Sequence, residues 1–388
     1  MNKAPFSKEL VFPLEEYESR IEKLRHQMLE RDLDLLLVFT PENTFYLCGY
    51  QSIGYSSLQC LIVPQKGPPC LLVREMEQGC AEYYSILDDV LLYSDHQDPV
   101  EVLTAALAER GFKGRRIGVE DRAPFLSAFD FSRIIKAIGP AATPTHGLVE
   151  RLRAIKSPGE IENLRQSAKI TEAGMREGLA AVREGASENE IAAAMFRGCM
   201  AMGGEFMSSE PIVTAGRKSG VAHTTFHRYR LRSGDVALLE LGGCYNRYTA
   251  ALMRTGVVGN PSPEVERMYR ACVDGLAACI DAIRPGVTAE TPHLACQAVI
   301  DKAGYTANFK KRAGYSVGVS FPPDWGEGHI VSLSKGNQTI LQSGMVFHIP
   351  PALRKHGEYG VGVSETVLVT DRGCERLTHL GQDLGINR

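Results

Sequence analysis

The sequence predicts an α/β domain over residues 1–153 followed by a larger α+β domain over residues 154–388. Three observations carry this. Short apolar strands alternate with helical patterns through the first part, which argues for an α/β layer. Two Ser-x-x-Glu boxes in the second part open long helices. Glycine-rich apolar segments around those helices read as the strands of a mainly antiparallel sheet.

In chain order, Leu14, Tyr17, Ile21, Leu24 and Met28 recur at helical spacing with charge between them, so Leu14 to Arg31 reads as an amphipathic helix. Strands are expected at Leu35 to Phe39, Phe45 to Cys48, Leu58 to Val63, Cys70 to Arg74 and Val90 to Tyr93. Helices are expected at Val100 to Arg110 and Phe125 to Ile138, and the domain closes near Arg153. Beyond it, Ser157 and Glu160 form a capping box with Pro158 at the first helical position, and Ser187 with Glu190 forms a second, opening a helix to Met202. Pro211 to Ala215 reads as a strand, Ser262 to Ile283 and Thr288 to Ala303 as helices, with strands around Val317, Met345 and Val363. Two helix pairs, each followed by strands, suggest an approximate internal duplication.

The centre of the second domain is GDVALLELGGCYNRYTAALMRT, Gly234 to Thr255. It reads as a strand over Val236 to Leu241, a Gly-Gly turn and a second strand over Tyr245 to Thr255. Glu240 lies at the end of the first, almost wholly apolar, strand. A carboxylate is costly to bury there unless it is used or paired.

Composition removes several function classes. A formal net charge of -3 gives no global attraction for nucleic acid or an anionic membrane, so neither partner is expected. The N-terminus MNKAPFSKEL has no apolar signal core, and no apolar run approaches the roughly 20 residues that span a bilayer. A cytoplasmic protein is expected. The 10 cysteines include no Cys-x-x-Cys pair and read as reduced, mostly buried thiols. Gly360 and Gly362 are not followed by a helix, so a nucleotide cofactor is not expected.

KSPGEIENLR, the 234–255 segment, GYSVGVSF, GMVFHIPP and SETVLVT together resemble the creatinase, prolidase and methionine aminopeptidase superfamily. The resemblance covers nearly the whole chain. It implies an α+β pita-bread catalytic domain behind a creatinase-like α/β N-terminal domain. It also implies a homodimer in which the N-terminal domain of one subunit walls the site of the other; Tyr50, Tyr55 and Arg74 are the residues placed to reach across, against a solvated face as the simpler reading. Metallopeptidase members hold two metal ions through two Asp, a His and two Glu. Those positions fall here on Glu240, Ala251, Tyr315, Pro350 and Glu365. Two carboxylates without the histidine do not make a two-metal clamp, so no metal and no cofactor are expected.

Creatinase, the metal-free branch, uses a histidine as proton shuttle, and that residue matches His223, twelve residues before Asp235. A neutral imidazole exchanges protons near pH 7. His227 competes for the role. Creatinase carries a Glu where this chain has Met253, which argues against creatine. Ectoine hydrolases are more similar: ELGGCYNRY supplies Glu240, Gly243, Cys244, Arg247 and Tyr248, and FPPDWGE runs from Phe321 to Glu327. The resemblance implies that Glu240 attacks a ring amidine carbon as nucleophile, since an amidinium carbon accepts a carboxylate and water then releases the product. This chain departs in FHRYRLRSGD and at Gly328.

The remaining candidates each have a plain structural alternative. Glu365 is expected to hold the substrate cation, or else to pair with Arg254 or Arg247. Trp325 either caps a cation from the Pro322-Pro323-Asp324 turn or packs in the core. Tyr315 either donates to a substrate oxygen or fills the vacated metal space. Asp324, Phe321, His227 and Tyr55 complete the expected binding set, with Asp324 and Glu327 equally readable as loop carboxylates. The expectation is a metal-independent hydrolase for a C–N bond of a small cyclic amidine. An Xaa-Pro peptidase or creatinase-like enzyme on another N-substituted amino acid, and a non-catalytic binding module, are the alternatives.

Overall fold

The computed structural model describes residues 7–387, and the chain falls into two compact units, Met1–Arg153 and Ala154–Arg388. In the first unit six strands form one mixed sheet, ordered Val90–Tyr93, Cys70–Arg74, Cys60–Pro64, Leu35–Val38, Ile117–Glu120, Ala142–Thr145. The helix Leu14–Glu30 buries Tyr17, Ile21, Leu24 and Met28, the stripe that its spacing foretold. The segment expected as a strand at Phe45 to Cys48 is instead the helix Pro41–Cys48. Every residue from Asn43 to Cys48 is buried, so apolar continuity alone could not separate the two periods. The deciding signals are Pro41 at the first position and Gly49, which ends the helix in the left-handed conformation (φ 81°). Two sheet strands, Ile117–Glu120 and Ala142–Thr145, were not anticipated.

In the second unit both capping boxes form, with the serine side chain and the glutamate reciprocally bonded, at the starts of Pro158–Ala181 and Glu188–Ala201. These helices lie against a four-stranded sheet ordered Gly385–Asn387, Tyr248–Val258, Val236–Tyr245, Ile212–Ala215. A second pair of helices, Pro263–Ala282 and Glu290–Lys302, packs on a five-stranded sheet containing Gly314–Ser316, Val346–Ile349 and Glu365–Val369. A short ribbon, Ala352–Lys355 with Tyr359–Gly362, joins them through Thr255, whose hydroxyl exchanges hydrogen bonds with Gly362.

The central hairpin departs from the expected Gly-Gly turn. The strand runs straight through Gly242 and Gly243 to Tyr245, and the chain reverses at Asn246 and Arg247, both at positive φ (49° and 64°). Two successive left-handed residues make the tight turn that suits strand twist. The glycines serve close packing instead. A β-carbon at Gly243 would lie 2.7 Å from Ile170 Cγ2, and one at Gly242 would lie 2.4 Å from Thr249 Cγ2. The helix Pro158–Ala181 comes so near that its hydroxyls complete the hairpin backbone: Ser167 donates to Gly243 O, while Thr171 accepts from Gly243 N and donates to Ala250 O. Among the described residues no helix is long and apolar enough to cross a membrane.

Candidate active site

A cavity of 1320 Å³ opens within the second unit, walled by the loop after Ile212–Ala215, the strand bearing Glu240, and the segments around Tyr315, Trp325 and Arg354. Glu240, His223, Tyr315, Asp324 and Trp325 line it; Glu365, Phe321 and His227 do not.

Glu240 is half-buried, pairs through its backbone with Met253, and its carboxylate makes no hydrogen bond or ion pair to any described residue. Burial pushes its pKa above the usual carboxylate range, and Lys311, Arg354 and His223 pull the other way. An unpartnered, partly desolvated carboxylate facing a cavity is poised as nucleophile or base. His223 is exposed on the rim and holds a left-handed backbone conformation (φ 58°), uncommon for a residue with a side chain. His227 points elsewhere: its ring lies 3.0 Å from Arg228 Nη2, and its backbone N–H donates to Glu188.

Glu365 is placed differently from expectation. It is fully buried, accepts from Arg254 Nη2 at 2.8 Å and from Gln382 Nε2 at 2.8 Å, and is bonded by the Thr378 hydroxyl. Arg254 is in turn fixed by the carbonyls of Ser364, Leu380 and Gly381. The carboxylate is thus engaged by Arg254, Gln382 and Thr378, and Glu365 is not among the residues that line the cavity. Phe321 is buried beneath the Arg247 guanidinium, 5.0 Å from its ring. Asp324 accepts from Gly326 N at 3.0 Å and lines the cavity. Glu327 is tied to buried Lys156 at 2.9 Å. Tyr55 packs edge-on against Phe125 in the first unit, with ring centroids 4.9 Å apart.

The five positions where metallopeptidase relatives place ligands can be tested on this geometry. Glu240 and Ala251 lie on the paired strands of the central hairpin, while Tyr315 and Glu365 lie on the two strands that flank Val346–Ile349 in the five-stranded sheet, with Pro350 directly after that strand. Their chemistry does not fit two metal ions. Ala251 and Pro350 offer no side-chain donor, Glu365 is engaged by Arg254, and no group of three or more metal-ligating His, Cys, Asp or Glu side chains occurs among the described residues.

A hydrogen-bond chain occupies the space instead. Trp325 Nε1 donates to the Tyr315 hydroxyl at 3.0 Å, His348 Nδ1 lies 3.0 Å from the same hydroxyl, and His348 Nε2 lies 2.8 Å from Ser364 Oγ, which accepts from Met253 N. His348 is fully buried, and burial together with Lys311 and Arg254 holds its pKa far below the usual value, so the ring is neutral with one N–H. Its tautomer follows from counting. If Nε2 carried the proton, the buried Ser364 O–H would have no acceptor, a cost of about 1–3 kcal/mol. With the proton on Nδ1, Ser364 donates to Nε2 and His348 donates to Tyr315. Tyr315 then accepts twice, and its own proton is free to point into the cavity it lines. Burial drives the phenol pKa well up, so it stays a donor.

Two cations on the lining were not singled out from sequence. Lys311 and the Arg354 guanidinium make no hydrogen bond or ion pair to any described residue, and Arg354 Nε is buried without a partner. Lys311 sits inside Lys310-Lys311-Arg312, which reads as a solvated basic run, and Arg354 follows an ordinary strand pattern. His348 lay inside the quoted GMVFHIPP segment, two residues before a recognised position; its neighbour relation to Tyr315 needs the strand register to be seen.

The chain matches the creatinase/prolidase N-terminal domain over residues 20–155 and metallopeptidase family M24 over residues 162–371. It is 30% identical over 395 residues to the ectoine hydrolase of Halomonas elongata, covering 97% of this chain and 98% of that one. It is also 30% identical over 367 residues to a putative dipeptidase of Bacillus subtilis, covering 94% and 99%. Among solved structures, the prolidase from Thermococcus sibiricus superposes with a TM-score of 0.85 at 26% identity, covering 95% of this chain and 98% of that one.

Proposed function

Because this chain belongs to metallopeptidase family M24 and carries its creatinase/prolidase N-terminal domain, yet lacks a fitting metal-ligand set, we propose that it is a metal-independent hydrolase opening a C–N bond of a small cyclic amidine, with ectoine as the leading substrate. The observation that carries this reading is the free carboxylate of Glu240 on a cavity it shares with His223 and a Tyr315 hydroxyl.

In this mechanism a Glu240 oxygen adds to the amidinium carbon and the C=N π pair moves onto a ring nitrogen. Water then adds at that carbon and displaces Glu240, His223 taking one of its protons. The same imidazolium returns the proton to the departing nitrogen as the C–N bond breaks, and the hydroxyl proton on the new carbonyl passes to the released amine, leaving an amide and an ammonium group with the carboxylate and the neutral imidazole regenerated. Tyr315 donates to the oxygen that gains charge. Trp325 presents its indole against the cationic ring. The working unit in this reading is a cytoplasmic homodimer, which sedimentation checks.

The test combines metal analysis with turnover. Purified protein dialysed against a chelator and mixed with ectoine is expected to yield the ring-opened amide at an undiminished rate, with a transient mass adduct on a Glu240 peptide. Activity that disappears with the chelator and returns with manganese or cobalt would sink the proposal. No turnover of ectoine by metal-free protein turns the search to other amidines and N-substituted amino acids.

A further inference from the structure

The mechanism above uses Glu240, His223, Tyr315 and Trp325 and leaves Lys311 and Arg354 without a task. We propose that these two side chains form an anion-binding clamp that makes a carboxylate group on the substrate a condition of binding. The inference rests on the reading of the cavity as the active site and specifies the class of molecule it takes.

Three observations carry it. Both cations line the cavity beside Glu240, and neither makes a hydrogen bond or ion pair to a described residue. Arg254 is wholly buried and bonded to carbonyl and carboxylate acceptors, and Arg247, whose Nε is likewise unpartnered, still donates through both terminal nitrogens; the part-buried Arg354 guanidinium makes no such bond and calls for an acceptor. The planar guanidinium fork matches a carboxylate in two-point contact, and a lysine ammonium adds a point charge.

Charge balance points the same way. Lys310, Lys311, Arg312 and Arg354 face the cavity against Glu210, Glu240 and Asp324, which leaves one positive charge over when all are ionised. Glu240 is within electrostatic reach of Lys311 and Arg354 but bonds to neither, so it does not discharge them. Arg312 is occupied elsewhere, its guanidinium 4.7 Å from the Tyr315 ring centroid and bonded to Ser332. A substrate carrying a cationic amidinium for Glu240 and a carboxylate for the clamp satisfies both ends. A neutral or purely cationic amidine leaves Arg354 desolvated and unpaired, and is rejected for that reason.

The experiment measures binding by calorimetry in the Glu240→Gln protein, where the ligand survives intact. The probes are ectoine and its carboxamide, then L-proline and L-prolinamide. The clamp predicts that at least one carboxylate binds about 10- to 100-fold more tightly than its amide. That preference collapses in Arg354→Met and Lys311→Met, and Arg354→Lys restores part of it. Melting curves confirm that each variant is folded, and Arg354→Lys keeps the test informative if Arg354→Met is not. Equal affinity for carboxylate and amide overturns the clamp, as does a preference that persists in both methionine variants. If ectoine fails to bind while proline binds with the predicted preference, the clamp stands and the amidine reading falls.

Discussion

Trp325 and Tyr315 are joined by a 3.0 Å hydrogen bond in which the indole can only donate, and this fixes what the phenol is able to do. With the indole and His348 both donating to its lone pairs, its own proton is left for an acceptor in the cavity that Tyr315 lines. Tyr315→Phe is therefore expected to lower kcat by about 10²–10³-fold with KM little changed, if the hydroxyl meets developing charge. Trp325→Phe removes one of the two donors and should cost less. Steady-state kinetics on both variants check the order.

Glu240→Gln separates chemistry from folding. Loss of the nucleophile is expected to reduce kcat by about 10⁴-fold or more. Stability should hold or rise by up to about 1 kcal/mol, since an unpartnered carboxylate whose ionised form is disfavoured by burial is replaced by a neutral amide. Urea denaturation beside a turnover assay reads both.

Glu365→Gln is expected to do the reverse. It leaves Arg254 buried without its counter-charge, a change that costs about 3–5 kcal/mol. The urea midpoint should fall sharply, while the remaining folded protein keeps its affinity for substrate.

The pH dependence of kcat/KM is expected to be bell-shaped. The acid limb belongs to Glu240, whose raised pKa means that activity appears only above the ordinary carboxylate range, as the carboxyl loses its proton. The alkaline limb belongs to Lys311, whose pKa burial pulls down to about 8 despite Glu240, with Arg354 adding to the fall. Its charge is lost as pH rises through that value, and an anionic substrate then binds less well. In Lys311→Met the limb near 8 should vanish.

Much of this was legible in the sequence because the chemistry sits in short strings. Glu240 stood out as an acid on an apolar strand, His223 by the resemblance to creatinase, which places a histidine twelve residues before Asp235, and the capping boxes by residue type alone. What escaped depended on pairing across the sheet. His348 meets Tyr315 only through strand register, and Glu365 meets Arg254 across 111 residues, so its engagement was one of two open readings until the geometry decided it. Gly242 and Gly243 resembled a turn because glycine's two uses, positive φ and close approach, look alike in one dimension. The helix Pro41–Cys48 escaped because a segment buried on all sides shows no period.

The Arg254–Glu365 pair also works as a ratchet. Installing Asp, His and Glu at Ala251, Tyr315 and Pro350 would supply three missing ligands, yet the fifth carboxylate would still be locked to an arginine, a threonine and a glutamine. Freeing it means abandoning a buried charge on Arg254, so variants built toward a dinuclear site are destabilised before any metal can reward them. A metal at that position therefore needs a further change at Arg254 as well.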